Sequence, residues 1–463
     1  MHTHTTALAL IGCGTVGSSV AKLLLKDRKD RCARSGIDTY LKYIVDRDFT
    51  HAEDCALPPE LFEYELQTAL DDPEVEIIIE LVGGTDFARR LIIQSLDAGK
   101  HIVTANKALL AHYGRELYAT ARKNRVCLAF EASCGGGIPI IRTLIDGLVA
   151  NKIDALFGIV NGTCNYILTE MATKGQSYGD ALSQAQADGL AEADPSLDVN
   201  GSDSAHKIAI MGGLAFGEAM DFSKIPVTGI DKLQSVDVVL GAEMGFTIKL
   251  IASALKTPEG CFLRVEPAFI AEEHPLAWVA DSFNAISVYG HSVGHTMYYG
   301  RGAGGSPTAS AVVADVLSIA NGSYPAMFNT LQTWPDMSNE SNQLPPEKIQ
   351  RPYYIRFQLK DQSGILAGLT AILANYNISV SSILQHADSE TDSGLQTPQS
   401  ENADTDNGTK TKKQFSLPLV IITHVVVEDA LHRAVEEILK LDGISDEHSI
   451  LPIFEEHPEF SGQ

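Results

Sequence analysis

Thr6-Ala-Leu-Ala-Leu-Ile-Gly-Cys-Gly-Thr-Val-Gly17 decides the fold of the N-terminal part of this chain. Residues 6–11 are a short, unbroken apolar run, the pattern of a strand buried on both faces of a parallel sheet. Gly12-Cys-Gly-Thr-Val-Gly17 follows at once, and Val16, Val20, Leu23 and Leu24 then recur at helical spacing. A G-x-G-x-x-G by itself is often no more than a glycine-rich turn. Set between a strand and a helix, it meets the requirement of a dinucleotide-binding loop. Gly12 allows the tight turn, Gly14 lets the backbone approach a pyrophosphate, and Gly17 allows close packing. The helix starting at Thr15 and Val16 turns its positive end toward the phosphates.

Outward from this loop, strand and helix patterns alternate. Residues 41–45 read as a second strand ending in Asp46-Arg47-Asp48. An acid there suits the ribose hydroxyls of NAD and an arginine suits the extra phosphate of NADP, so both cofactors fit, with Arg47 favouring NADP. Residues 74–82 read as a strand, 87–96 as a helix, 100–107 as a strand running into a loop, and 126–130 as a further strand. The alternation predicts a Rossmann-type, doubly wound α/β sheet. Lys107 lies just past a strand's carboxyl end, where such sheets place ligands, although a solvated lysine has the same pattern. Glu131-Ala-Ser-Cys-Gly-Gly-Gly-Ile-Pro139 exposes backbone suited to an ion or a cofactor, or else links two domains.

Residues 140–149 read as a helix, 153–160 as a strand, and Asn161-Gly-Thr-Cys-Asn165 as the turn opening another helix. Gly189-Leu-Ala-Glu-Ala-Asp-Pro-Ser-Leu-Asp-Val-Asn-Gly-Ser-Asp-Ser-Ala-His-Lys207 crowds Glu192, Asp194, Asp198 and Asp203 together and then delivers a lysine. Ser202 or Asp203 can cap the helix that follows, and Ala205, Ile208, Ala209, Gly212, Ala215 and Phe216 fall on one face of it. Asp203 and Lys207 are i and i+4, the spacing of an ordinary surface ion pair and equally of a lysine poised beside a carboxylate. Residues 241–255 read as a core helix, with strand-like runs near Ala268 and Ile286. Gly300-Arg-Gly-Ala-Gly-Gly305 leads into a helix at 311–320, and the proline-containing residues 330–350 read as a linker. From Tyr353 the pattern is β-α-β-β-α-β, a ferredoxin-like unit. Its residues 388–413 hold no aromatic side chain and read as a disordered hairpin loop.

At 463 residues the chain is long enough for about three domains of ~150 residues. A net charge of −24 argues against nucleic acid and against anionic membrane surfaces, leaving small molecules or protein as partners. The seven cysteines are scattered, odd in number and without a CxxC pair, as expected of free thiols in a reducing compartment. With no signal-like segment and no run of ~18 apolar residues, a cytoplasmic protein is expected.

Taken together, Gly12–Gly17, Thr104-Ala-Asn-Lys107, Glu131–Ile140, Val160-Asn-Gly-Thr-Cys-Asn-Tyr-Ile-Leu168, Asp188–Pro195 and Gly201–Lys207 resemble homoserine dehydrogenase. Tyr353 onward resembles the ACT domain of its longer monofunctional members. The resemblance implies three domains: a dinucleotide-binding domain at 1–134 completed by about 303–325, an α+β substrate and dimerisation domain at 135–302, and an ACT-like regulatory domain at 351–460. It implies NAD(P)H-dependent reduction of L-aspartate 4-semialdehyde to L-homoserine, in threonine, methionine and isoleucine biosynthesis. Carried onto this sequence, it makes Lys207 the proton donor, Asp203 and Glu192 substrate ligands, and Asp198 a support for the lysine. Thr15, Val16, Lys107, Gly189 and Gly302 become cofactor contacts. Glu131, by its carboxylate or its backbone, and the carbonyls of Cys134, Gly136 and Ile138 become a site for a monovalent cation such as Na+. A homodimer or homotetramer is implied, as is an amino-acid effector for the ACT unit. Two positions depart from the usual pattern, Cys134 in place of valine and Asn200 in place of an acid. Two other readings compete: a semialdehyde-oxidising enzyme working through a thiohemiacetal on Cys134, and a non-catalytic amino-acid sensor built on the ACT-like unit.

Overall fold

The computed structural model describes residues 5–337, 340–345, 348–385 and 417–454. It divides into two compact units: the first holds residues up to Leu344 except Ala268–Ile270, and the second holds Ala268–Ile270 and the residues from Pro345. In the first unit, β1 (Thr5–Ile11), β2 (Asp38–Val45), β3 (Phe62–Glu63), β4 (Val75–Glu80), β5 (His101–Thr104) and β6 (Leu128–Ala129) form a parallel sheet in the order β3-β2-β1-β4-β5-β6. Residues Ala7 to Leu10 and Ile77 to Ile79 are at most 2% exposed. Burial on both faces explains the unbroken apolar runs of β1 and β4. The strand order reverses between β1 and β4, so the loop after β1 opens at the crevice where doubly wound sheets take ligands.

A second sheet follows, built from β7 (Ile153–Ile159), β8 (Phe246–Thr257), β9 (Gly260–Ala271), β10 (Phe283–Gly290) and β11 (Gly294–Arg301) in the order β11-β10-β7-β8-β9. The pairings of β11 with β10, β10 with β7 and β7 with β8 are antiparallel. This corrects the helix expected at 241–255. A helix Ser235–Glu243 stops there, Gly245 turns the chain with φ +79°, and the remainder is β8. Helix Ser202–Phe216 packs on β7 and β8 and against helix Lys107–Lys123, joining the two sheets' territories. After β11, helix Gly305–Ala320 returns to pack along helix Thr15–Lys26.

The linker expected at 330–350 is also corrected over its first part. Trp334 is fully buried, with ring centroids of Tyr118, Phe130 and Phe328 at 5.4, 5.8 and 4.7 Å, and Arg122 pairs with Asp336 at 2.7 Å. The stretch up to Leu344 therefore belongs to the first unit. The second unit contains β12 (Gln350–Arg351), β13 (Tyr353–Leu359), β14 (Val380–Gln385), β15 (Leu417–Thr423), β16 (Val426–Val427) and β17 (Ile444–Pro452). Four of these form a sheet ordered β14-β15-β13-β17. Its helices Ile365–Asn375 and Glu428–Ile438 bury Leu369, Leu373, Leu431 and Val435 against Ile355, Phe357, Leu419 and Ile421, completing the ferredoxin-like pattern of an ACT domain. The loop at 388–413 lies outside the described residues. No helix among the described residues is long and apolar enough to cross a membrane.

Candidate active site

The loop after β1 is built for an anionic ligand. Helix Thr15–Lys26 starts after Gly14 with no side-chain cap and no acid in its first turn, so the amides of Thr15, Val16 and Gly17 keep their positive end open. A Cβ on Gly17 would lie 2.1 Å from the Gly12 carbonyl oxygen, whereas one on Gly14 would meet nothing within 4 Å. One glycine is thus demanded by packing, and the other faces free space where a pyrophosphate fits. Asp46 is spent on the loop itself. Its Oδ2 accepts from the Cys13 amide at 2.6 Å and its Oδ1 from the Arg47 amide at 2.7 Å. Arg47 is exposed, with its guanidinium 5.4 Å from the centre of the Phe87 ring.

Across the crevice, three charged side chains meet. Gly201 is the N-cap of helix Ser202–Phe216, so neither Ser202 nor Asp203 caps it. Asp203 instead turns inward at 6% exposure. Its Oδ2 accepts from Lys207 Nζ at 2.7 Å and its Oδ1 pairs with Lys107 Nζ at 2.7 Å. Burial pushes this carboxyl up, but the ammonium charges of Lys207 and Lys107 and their hydrogen bonds outweigh it and hold Asp203 well below the carboxylate range. Lys107 opens helix Lys107–Lys123 behind the Asn106 cap, at the positive end of that helix, a position unfavourable for a cation. Burial there lowers its tendency to stay charged, and the Asp203 charge reverses this, raising it overall. Lys207 is 7% exposed and gives a second N–H to the Val160 carbonyl at 2.5 Å.

The structure also brings in a residue that sequence reasoning missed. Asn161 caps helix Gly162–Lys174 through its Oδ1, and its Nδ2 donates to Asp198 Oδ1 at 2.8 Å and to Asp203 Oδ2 at 2.9 Å. Nothing in the sequence ties position 161 to positions 198 and 203 except the cap signal. Asp198, expected to support Lys207, makes no direct bond to it among the described residues and is linked to it through Asn161 and then Asp203. Glu192 is exposed, and its side chain has no partner among the described residues. Gly189 is likewise exposed, in a loop tied down by the Thr163 hydroxyl, which donates to the Leu190 carbonyl at 2.8 Å. Asn200 accepts from the Ser202 amide at 2.9 Å.

Residues 131–136 form a buried turn that meets the cluster where Cys134 Sγ lies 3.8 Å from the Lys207 carbonyl. The Glu131 carboxylate is committed to the amides of Ile141 and Arg142 at 2.8 and 2.9 Å, and its backbone carbonyl accepts from the Cys134 amide at 3.4 Å. The carbonyls of Cys134 and Gly136, both in buried residues, accept no hydrogen bond from any described residue, while that of Ile138 accepts from the Ile140 amide at 2.8 Å. Gly136 abuts the second glycine-rich segment, since a Cβ on it would lie 2.6 Å from the Gly302 oxygen. Two buried, unpartnered carbonyl oxygens suit a hard monovalent cation. Among the described residues no group of three or more His, Cys, Asp or Glu side chains is placed to hold a metal. Cys134 itself is fully buried, and burial pushes its thiol up to about 12. A thiol kept protonated and enclosed is a poor nucleophile, which removes the physical basis of the thiohemiacetal reading. His206, beside Lys207 in sequence, stacks on Phe222 at 4.7 Å; burial and then His112 push it down to about 4.

Residues 139–317 match the family Homoserine dehydrogenase, residues 12–131 match Homoserine dehydrogenase, NAD binding domain, and residues 353–416 match ACT domain. Over 441 residues, 94% of this chain and 95% of the relative, the sequence is 38% identical to homoserine dehydrogenase of Neisseria gonorrhoeae. The crystal structure of a homoserine dehydrogenase from Thiobacillus denitrificans superposes with a TM-score of 0.86 at 36% identity, covering 97% of this chain and 98% of the other. A hyperthermophilic archaeal homoserine dehydrogenase in complex with NADPH gives a TM-score of 0.58 at 25% identity over 69% of this chain and 98% of the other.

Proposed function

The chain belongs to the homoserine dehydrogenase family of NAD(P)-dependent oxidoreductases, and from that premise we propose that Lys207 is the proton donor in the reversible reduction of L-aspartate 4-semialdehyde to L-homoserine. The observation that carries this is the buried placement of Lys207. Two of its three N–H groups are fixed by Val160 and Asp203, and the third has no partner among the described residues. When bound, the dihydronicotinamide supplies the hydride that reaches the aldehyde carbon. As alkoxide character grows on the oxygen, the free N–H of Lys207 stabilises it and then transfers the proton. General acid catalysis of this kind is worth roughly 10²–10⁴-fold. Asp203 holds Lys207 in place, and because both its oxygens hold ammonium groups, exposed Glu192 is the readier acceptor for the substrate's own ammonium.

The open helix end after Gly14 would hold the cofactor's pyrophosphate, with Gly189 and Gly302 completing its site. Arg47, exposed beside Phe87 while Asp46 is tied to the loop, favours NADPH. A monovalent cation on the Cys134 and Gly136 carbonyls, with Ile138 and the Glu131 backbone, would brace the turn that meets the Lys207 cluster. The ACT unit would bind an amino-acid effector, threonine being the end product expected, at the exposed turn Asp361-Gln-Ser-Gly364 that opens helix Ile365–Asn375. The test of the reading is oxidation of NADPH and of NADH by the purified protein with L-aspartate 4-semialdehyde. Turnover with formation of homoserine is expected; no turnover with either cofactor would overturn it and revive the sensor reading.

A further inference from the structure

We propose that Asn161 is a positioning residue for proton transfer: it clamps Asp198 and Asp203 together so that Lys207 keeps one N–H free for the substrate. The inference rests on the reading of Lys207 as donor. Asn161 is 5% exposed and stands at the exit of β7. Its one acceptor is used by the Cys164 amide at 2.8 Å, which fixes the orientation of the carboxamide because only the oxygen can accept from that amide. The NH2 group must then face the acids, and its two hydrogens go to Asp198 Oδ1 and Asp203 Oδ2. Val160, the preceding residue, gives its carbonyl to Lys207. Two consecutive residues therefore hold both the donor lysine and the carboxylate paired with it.

The chemistry calls for a neutral double donor at this place. Asp198 and Asp203 are like charges, each disfavouring the ionised state of the other. A lysine or arginine at position 161 would compete with Lys107 and Lys207 for Asp203, and an acid would add a third negative charge. The amide joins the pair without doing either. Asp203 Oδ2 accepts from Lys207 and Asn161 together. Remove the amide, and that oxygen loses one of the two donors that fix its direction, so the carboxylate and the Lys207 Nζ held on it can turn together away from the substrate. Asp198 has no other side-chain partner among the described residues, so it loses its link to the cluster at the same time.

Serine and aspartate both retain the N-cap acceptor, so Asn161→Ser and Asn161→Asp remove the clamp while sparing the helix start. For Asn161→Ser the expected result is an unchanged melting temperature, kcat lowered by about tenfold or more with little change in the KM for the aldehyde, and an acid limb of the kcat profile displaced to higher pH. Asn161→Asp should displace it further. The Asp198 carboxyl, followed by carbon-13 NMR with aspartate labelling and assigned by its loss in Asp198→Asn, should titrate at higher pH in Asn161→Ser, since Asp203 then opposes its ionisation without the amide. Wild-type kcat and pH profile in a stable Asn161→Ser would overturn the proposal, as would a lowered kcat with no change in either titration. If the wild-type protein reduces no semialdehyde, the functional reading fails separately, and the Asp198 titration alone decides whether the clamp exists.

Discussion

At the scale of single residues, what matters is which atoms are already committed. Asp46 has both oxygens engaged by backbone amides, and Arg47 presents its guanidinium to solvent over Phe87. Arg47→Ala is therefore expected to raise the KM for NADPH far more than that for NADH, because a guanidinium pairs with a phosphate dianion and contributes little to a ribose diol. Equal losses for the two cofactors would make Arg47 structural. Cys134 gives an opposite case. With its thiol enclosed and pushed up to about 12, thiol alkylation near neutral pH should leave turnover unchanged, and rapid inactivation traced to Cys134 by mass spectrometry would contradict the assignment. Lys207 and Asp203 were legible in the sequence because both lie on one helix at i and i+4. Asn161 was not, because its partners lie 37 and 42 residues away and only folding brings them to it. Lys107 was expected at the site from its place past a strand end, but the same limit hid its pairing with Asp203, which is on a different helix.

Among elements, legibility followed burial. The strands of the parallel sheet announced themselves as apolar runs between glycine-rich turns, but the same kind of run misled at residues 241–255. β8 lies between β7 and β9 with Ile248 to Ala252 buried, so it lacks the alternation that marks a half-exposed strand, and its buried Lys249 looks like a break in a strand. Gly245 was the available signal of the turn. The stretch before Leu344 misled in the other direction, since its prolines and polar residues hide the buried anchor Trp334 and the Asp336 that pairs with Arg122. The turn at 131–142 carries a testable electrostatic consequence. Burial, and then the neighbouring Asp315, push Glu131 up to about 8, and burial pushes Asp315 up to about 6. Both folded values exceed the unfolded ones of about 4, so between about pH 4 and pH 8 the folded state holds protons that the unfolded state has released, and stability falls as pH rises. In Asp315→Asn the residue can still accept from the Glu131 amide but no longer titrates. Its melting temperature should fall less between about pH 5 and pH 8 than that of the wild type; parallel slopes would show that the pair does not titrate as described.

For the whole molecule, order along the chain was the most legible feature, because each domain carries its own periodicity and the motifs occur in one sequence of units. Lys107, Val160, Asn161 and Asp203 build the cluster around Lys207, and regulation is the use proposed for the ACT unit. Threonine should inhibit the full chain, and truncation after Leu344 should leave an active, insensitive enzyme. Deletion of residues 388–413 should change neither property. Inhibition requires threonine to bind two conformations with different affinities. An intact enzyme unaffected by millimolar threonine, with no heat of binding to residues 351–463, would leave the unit a role in assembly alone. The central claim is that a buried, carboxylate-held lysine delivers the proton, and single-turnover reduction of L-aspartate 4-semialdehyde by Lys207→Ala tests it most directly. The account predicts a chemical step slowed by ~10²-fold or more, with cofactor binding and melting temperature retained; a correctly folded Lys207→Ala enzyme reacting at nearly the wild-type rate would contradict it.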